Sequence, residues 1–144
     1  MRTRQDIYEA AEYYESVGTK WRHQGRSEAS VDCVGLIITC GWDAELFDRS
    51  WDFRDYPKSS HPIEFLDRFH QFMTRIPVKE DARAGDVLIV SIGPLLTHCG
   101  IISVGRHGYP TFIHSHRGRQ RVVEDPLSMW WGASKAAFSY PGVQ

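Results

Sequence analysis

Cysteine and histidine are the residue types in this chain that could best support nucleophilic catalysis, and it contains three cysteines and seven histidines. Cys33 lies in a stretch, 31–40, that is apolar on nearly every side, directly after Asp32, a residue type that commonly caps helix N-termini. A thiol in the first turn of a helix is near unpaired backbone N–H groups, which favour the thiolate and can bind an oxyanion. Cys33 is therefore a candidate nucleophile, and the alternative is a small core residue. Cys40, near the end of the same stretch, is assigned to packing.

A thiolate nucleophile needs a general base, and His98 and His114 lie in predicted strands whose side chains could reach one helix N-terminus. A histidine packed in a sheet, with its ring nitrogens satisfied by the backbone, is the alternative for each. Cys99 is a geometrically poor partner for His98, because successive strand residues point to opposite faces. His116 shares a face with His114, so strand parity leaves both as candidates for a third catalytic group.

Charge and composition argue against several other classes of protein. The formal net charge of −1 gives no field that would attract nucleic acid. No apolar run approaches the roughly 20 residues of a membrane span, and residues 1–6 lead into a charged stretch without the apolar core of a signal peptide. We therefore expect synthesis in the cytoplasm, where the chain stays unless a dedicated apparatus exports it. The cysteines form no CxxC pair and the histidines do not complete a ligand set, so we expect no disulfide framework, metal or other cofactor.

Hydrophobic periodicity predicts helices first and strands second, an order typical of an α+β fold with an antiparallel sheet. The predicted elements are a helix over 5–16 that ends at Gly18, an irregular loop over 18–30, a buried helix beginning at Asp32, a loop over 41–60, a helix from Pro62 to near Pro77, strands over 87–90, 97–104 and 111–116, and a last strand within 122–142. The length of 144 residues suits one core, so we expect a single domain over 1–144. No strip of unused apolar periodicity remains once these elements are placed, so we expect a monomer, and an interface through Trp130 and Trp131 is the alternative.

Several sequence blocks, in this order, resemble the NlpC family of cell-wall cysteine peptidases. They are GTKWRHQGRS (18–27), VDCVGL (31–36), AGDVL (84–88), THCGII (97–102) and FIHS (112–115). The RHQG loop, the aromatic segment over 51–57 and the ending over 123–142 are similar to the phage-type members of that family. The combination of DC-x-GL with a downstream H-x-GI and a third histidine is more specific than any single block.

The resemblance implies a papain-like, NlpC-type α+β fold in which a helix bearing the cysteine packs on an antiparallel sheet. It implies that Cys33 is the nucleophile, His98 the general base and acid, and His114 the residue that orients His98. Members of the family cleave peptidoglycan stem peptides through a thioester, often between D-glutamate and a diamino acid. The phage-type similarity implies a phage tail or a secretion apparatus as partner.

Four further residues, Trp21, His23, Asp32 and His116, are assigned to substrate binding. Packing of the loop is the alternative for Trp21 and His23. The family usually has Tyr where this chain has Trp21, and Ser where it has Val34. These departures motivate a second hypothesis, a structural tail-assembly module with little turnover. An acyltransferase or toxin-like amidase that uses the same catalytic residues is a third.

Arg117, Arg119 and Arg121 could recognise the carboxylates of a stem peptide, because arginine binds carboxylates in a bidentate manner. Regular strand alternation places all three on the face opposite His114. They would serve the site only if Gly118 broke the strand, so we predict that they form a solvated edge.

Overall fold

The computed structural model describes residues 2–58, 62–94 and 96–143, and within these ranges the chain forms four α-helices and an eight-stranded sheet. The helices are α1 (Arg4–Ser16), α2 (Cys33–Asp43), α3 (Pro62–His70) and α4 (Ser128–Trp131), and a 3₁₀ helix covers Lys79–Asp81. The strands are β1 (Lys20–Trp21), β2 (Ser30–Val31), β3 (Thr74–Ile76), β4 (Val87–Ser91), β5 (Thr97–Ser103), β6 (Thr111–His116), β7 (Arg121–Pro126) and β8 (Ser134–Ser139). No helix of the described ranges has the length and apolarity needed to cross a membrane.

α1 begins where the sequence supplies a capping box. The Thr3 side chain accepts a hydrogen bond from the Asp6 backbone N–H, and the Asp6 carboxylate accepts one from the Thr3 backbone N–H. The buried residues of the helix are Ile7, Ala11 and Tyr14. Gly18 follows the helix end with a φ of +74°, a conformation that costs glycine little. The prediction of a first amphipathic helix is confirmed.

α2 is enclosed between α1 and the sheet, which explains why it is apolar around most of its circumference. Residues 34–41 are all buried. The Asp32 carboxylate caps the helix by accepting a hydrogen bond from the Gly35 backbone N–H at 2.6 Å. Cys33 is therefore the first residue of α2, as the sequence predicts, and its side chain remains partly exposed.

The sheet has the strand order β2-β1-β7-β6-β5-β4-β8-β3. Strands β4 to β7 form an antiparallel meander, and β8 pairs antiparallel with both β4 and β3. One face, which carries Ile89, Ile101 and Ile113, packs beneath α1 and α2. The opposite face packs against Trp130 and Trp131 of α4. The prediction of an antiparallel α+β fold is confirmed.

The helix predicted from Pro62 to near Pro77 is wrong in its second half. α3 ends at His70, and the chain turns into β3, whose Arg75 pairs with Phe138 of β8. Met73 and Ile76 continue the apolar stripe past the helix end because they also pack against the core. The hydrophobic pattern therefore does not show where the helix ends and the strand begins. The partner strand comes much later in the sequence and decides the conformation.

The loop predicted over 18–30 contains the short strands β1 and β2, which pair in parallel. Two-residue strands show no detectable period, so the sequence gives no sign of them. β1 also pairs with β7 through Lys20 and Arg121, which joins this segment to the meander. The predicted tail segment likewise contains β7 and α4 in addition to the last strand, β8.

Glu12 of α1 lies at the interface with the sheet, beside a second carboxyl group, Glu124. Its Oε1 accepts a hydrogen bond from Ser103 Oγ at 2.8 Å, and Glu124 Oε2 accepts one from Thr111 Oγ1 at 2.7 Å. Burial, and next the neighbouring carboxyl group of Glu124, raise the pKa of Glu12 to about 7. Glu12 therefore keeps its proton under conditions in which an exposed glutamate is ionised.

We expect Glu12→Gln to raise the free energy of unfolding at neutral pH. Folding raises the pKa of Glu12 from its usual 4.5 to about 7. Below pH 4.5 the group is protonated in both states, and as the pH rises towards 7 the unfolded chain loses the proton first, so stability falls. Urea unfolding at about pH 5 and about pH 8 measures this slope, which glutamine removes. Glu9→Gln, at an exposed position of the same helix, is the control, and an unchanged slope in Glu12→Gln would contradict the assignment.

Candidate active site

A cleft opens at the N-terminus of α2, where Cys33 lies. Its lining residues come from β1, from α2 and the loops on both sides of it, from α3, and from β5 and β6 with the residues next to them. They are Trp21, His23, Asp32, Cys33, Val34, Tyr56, Pro57, Lys58, Phe65, Leu96, Thr97, His98, Ser115 and Arg117. The cleft thus contains two of the predicted catalytic residues, Cys33 and His98, and three of the residues assigned to substrate binding, Trp21, His23 and Asp32.

Two residues of β5, Cys99 and His98, favour the thiolate form of Cys33. Hydrogen bonds from the Cys99 thiol and, next, from His98 lower the pKa of Cys33 to about 5, although burial acts in the opposite direction. Burial and the contact with Cys33 raise the pKa of Cys99, so Cys99 remains protonated and donates. Cys99 is fully buried. The sequence offers Cys99 only as a poor partner for His98 and gives no sign of its effect on Cys33.

Hydrogen bonds connect His98 to His114 and His114 to Asp125. His98 Nε2 lies 2.8 Å from His114 Nδ1, and His114 Nε2 lies 2.8 Å from Asp125 Oδ2. His114 is fully buried, and burial lowers its pKa to about 4 despite the nearby carboxylate. Burial also lowers the pKa of His98, while the contact with Cys33 opposes that shift. Both rings are therefore neutral near pH 7 unless His98 takes a proton from the thiol.

The strand register explains how Asp125 reaches His114. In the β6–β7 pair Phe112 lies opposite Asp125 and His114 opposite Val123, so Asp125 is a diagonal neighbour of His114. Gly100 of β5 lies against the same part of β6. A Cβ at this position would lie 2.6 Å from the Phe112 ring and from the Ile113 carbonyl oxygen, which is too close for any side chain. The glycine of the H-x-GI block thus allows β5 and β6 to approach closely where the histidines meet.

Asp125 is held in place by two donors from outside the strand pair. Arg119 donates to both carboxylate oxygens, with Nη1 at 3.0 Å from Oδ1, and Trp130 Nε1 donates to Oδ2 at 3.0 Å. Burial of Asp125 opposes its ionisation, but the hydrogen bonds from Arg119, His114 and Trp130 hold its pKa well below the usual range. The carboxylate is therefore ionised beneath His114.

The prediction of a solvated edge is wrong for Arg119. The strand ends at His116, and residues 117–120 form a turn that carries the Arg119 side chain back to Asp125. Arg117 is exposed beside the cleft and lies over the Trp21 ring at 5.4 Å, and Arg121 is exposed at the start of β7. The regular alternation assumed for this stretch does not extend past β6.

The carboxylate of Asp32 is engaged within the protein, although Asp32 lines the cleft. It accepts hydrogen bonds from the Gly35 and Gln24 backbone N–H groups and from the Tyr56 hydroxyl. Arg26 lies beside it at 3.3 Å and also binds Asp52, the Phe53 carbonyl oxygen and the Tyr56 hydroxyl. This set of contacts, which the sequence does not predict, joins the RHQG loop to the segment over 52–56 and closes one wall of the cleft.

His116, the other candidate for the third position, has different contacts. Its Nδ1 accepts a hydrogen bond from the Arg119 backbone N–H at 3.0 Å, and its ring centroid lies 6.4 Å from that of His98. His114 by contrast is within hydrogen-bond distance of the His98 ring. Strand parity does not separate the two histidines, and their hydrogen bonds differ. The orienting role of His114 stays a prediction.

We expect His114→Ala to lower the turnover rate by more than about tenfold, because His98 loses the group that fixes its orientation and tautomer. His116→Ala should cost less, since its ring accepts a hydrogen bond from the Arg119 backbone N–H and has no other within residues 2–58, 62–94 and 96–143. Parallel kinetics of the two variants on one muropeptide measures the difference. Greater damage from His116→Ala would overturn the assignment of His114.

The fold is similar to that of solved NlpC and NLP/P60 proteins. NlpC2 and NlpC1 from Trichomonas vaginalis align over 94% of this chain with TM-scores of 0.64 and 0.62, at 17% and 18% sequence identity. A protein from Staphylococcus aureus described as similar to lipoprotein, NLP/P60 family, aligns over 98% with a TM-score of 0.60 and 21% identity. The predicted papain-like, NlpC-type fold is confirmed.

Comparison of the sequence with protein families and with curated proteins finds no relative. The chain spans 47%, 44% and 41% of the lengths of the three solved proteins, which are therefore more than twice as long as the region they share with it.

Proposed function

We propose that this protein is an NlpC-type cysteine peptidase that hydrolyses an amide bond in peptidoglycan stem peptides. The observation that carries the proposal is a thiol at a helix N-terminus in contact with His98, which is itself hydrogen-bonded to His114. That set of groups suits acyl transfer through a covalent intermediate, and it occurs on a fold shared with NLP/P60 proteins. The proposed catalytic domain covers residues 1–144 and requires no cofactor.

In the proposed mechanism the Cys33 thiolate attacks the carbonyl carbon of the scissile amide, while His98 holds the proton taken from the thiol. The negative charge on the carbonyl oxygen is stabilised by the Cys33 backbone N–H at the positive end of α2. His98 then protonates the leaving amine as the carbon–nitrogen bond breaks, which leaves a thioester. Water, deprotonated by His98, attacks the thioester and releases the carboxylic acid and the thiol.

The charge at the cleft favours an anionic substrate. Arg117 and Lys58 are exposed cations among the lining residues, and the Asp32 carboxylate is satisfied by protein donors. A stem peptide carries several carboxylates that such cations can bind. We therefore propose that Arg117 and Lys58 contact substrate carboxylates, together with Trp21 and His23 at the same cleft.

The phage or prophage origin of this activity is also a proposal, and its support is the similarity of the RHQG loop and the ending over 123–142 to phage-type sequences. Such a peptidase would act with a tail or a secretion apparatus.

Mass spectrometry of purified murein after digestion tests the proposed function. Soluble muropeptides with a newly cut stem peptide are expected from the wild-type protein and not from Cys33→Ala. Acyl transfer on lipid substrates without murein cleavage would favour the acyltransferase alternative. No product on either substrate, with a Cys33 thiol no more reactive than free cysteine towards iodoacetamide, would favour the structural module that Val34 and Trp21 suggest.

A further inference from the structure

Asp125 ends a hydrogen-bonded series that begins at Cys33, and its surroundings determine its role. Arg119 and Trp130 can only donate hydrogen bonds, and both donate to this carboxylate. An ionised carboxylate can only accept. His114 Nε2, at 2.8 Å from Asp125 Oδ2, must therefore carry a hydrogen and donate it.

The proton on His114 Nε2 determines the protonation of the next ring. A neutral imidazole carries one N–H, so His114 Nδ1 has a free lone pair and accepts. The His98 Nε2 atom, 2.8 Å away, is then the donor of that bond. With Nε2 protonated, a neutral His98 has its lone pair on Nδ1, which is the nitrogen left for Cys33.

We propose that Asp125 is a positioning residue that sets the proton positions of both histidines, so that His98 presents an unprotonated Nδ1 to the Cys33 thiol. This inference rests on the proposed roles of Cys33 and His98 in acyl transfer. When the thiol proton moves to His98 Nδ1, the imidazolium is stabilised through His114 by the carboxylate. Asp125 thereby favours the thiolate without touching the substrate.

Packing supports a fixed geometry for this series. The Trp130 ring lies with its centroid 4.7 Å from that of His114 and 5.8 Å from that of His98, and its indole N–H bonds Asp125. One side chain thus restrains both rings and the carboxylate. Arg119 balances the charge of Asp125, so that the buried carboxylate stays ionised next to a neutral His114.

The pH profile of Cys33 alkylation by iodoacetamide tests the proposal without a substrate. Asp125→Asn keeps the side-chain volume but removes the charge, and Asp125→Ala removes the acceptor. We expect both to move the midpoint of alkylation upward by about one pH unit or more, because the imidazolium partner of the thiolate is less stable. Glu124→Gln is the matched control, since it makes the same chemical change at the adjacent position, whose carboxylate binds Thr111. Its midpoint should equal that of the wild-type protein.

Nitrogen-15 NMR of the histidine rings in the wild-type protein provides a second measurement that does not depend on how the variants fold. We expect hydrogen on Nε2 of both His114 and His98. Hydrogen on Nδ1 of His114, or an alkylation midpoint that Asp125→Asn does not move, would overturn the proposal.

The two proposals can fail separately. A midpoint that shifts in Asp125→Asn, in a protein that releases nothing from murein, supports the role of Asp125 and refutes the proposed substrate. Murein cleavage by the wild-type protein with an unshifted midpoint in Asp125→Asn supports the proposed function and refutes the role of Asp125.

Discussion

Replacing Cys33 with alanine is expected to lower the release of peptides from peptidoglycan by at least about a thousandfold, because the substituted side chain cannot form the thioester. The fold should persist, since Asp32 caps α2 through its own side chain and does not require the thiol. Muropeptide release, followed by chromatography over time, gives the two rates.

Cys40→Ala provides a matched control for this substitution. Cys40 is fully buried on the same helix, so the variant loses a thiol from α2 without any change in the cleft. We expect it to keep most of the wild-type rate and to lose some stability through a small cavity. A Cys33→Ala protein that cleaves at the rate of Cys40→Ala would exclude Cys33 as the nucleophile.

We expect His98→Ala to lower turnover by about 10²- to 10⁴-fold, the range typical of a lost general base. The same variant should shift Cys33 alkylation to higher pH. The pKa of Cys33 is lowered to about 5 by Cys99 first and by His98 second, so removal of His98 raises it while the Cys99 hydrogen bond remains. Alkylation rates from about pH 5 to about pH 9 give the midpoint, against the unperturbed thiol pKa of about 8.5.

His107→Ala is the control for that experiment, because His107 lies exposed on the turn between β5 and β6. Its alkylation midpoint and its turnover should match those of the wild-type protein. An unshifted midpoint in His98→Ala would mean that His98 is not the partner of the thiol.

The sequence predicts those parts of the fold in which local pattern and tertiary environment agree. β6 has the predicted bounds, 111–116, because turn-forming residues lie on both sides of it, Gly108 and Pro110 before the strand and Gly118 after it. α2 begins as predicted because Asp32 is both the local cap signal and the cap in the structure. Each of these elements carries a residue of the candidate site. Cys33 could be named as a candidate from its position at a helix start, whereas the choice of His114 over His116 comes from the resemblance to the NlpC family.

Asp125 and Arg119 could not be found in this way, because their roles depend on strand register. The β6–β7 pairing places Asp125 diagonally beneath His114, and a shift of one residue would turn the carboxylate to the other face. The turn over 117–120, which returns Arg119 to that carboxylate, sets the register. Nothing in the spacing of these residues specifies it.

The contacts of Arg26 were missed for a different reason. The guanidinium joins groups from the RHQG loop, the start of α2 and the segment over 52–56, which are separated along the chain. From the sequence alone, an arginine in a polar loop cannot be distinguished from a solvated side chain. Arg26 is buried because the aromatic segment over 51–57 packs beside it. Its burial, with 5% of the side chain exposed, is a property of the assembled fold alone.

The position of β8 in the sheet has a consequence for biosynthesis. This strand, Ser134–Ser139, comes last in the sequence of the described strands but lies between β4 and β3 rather than at an edge. During translation β3 therefore has no neighbour in the sheet until the ribosome has released β8, and β4 keeps one side open. Between the synthesis of β3 and that of β8, a nascent chain of this protein exposes unpaired strand backbone, a state that is prone to aggregation and to chaperone capture. A premature stop codon or a proteolytic cut before Ser134 would leave β3 detached from the sheet, even though every residue of the cleft had already been made.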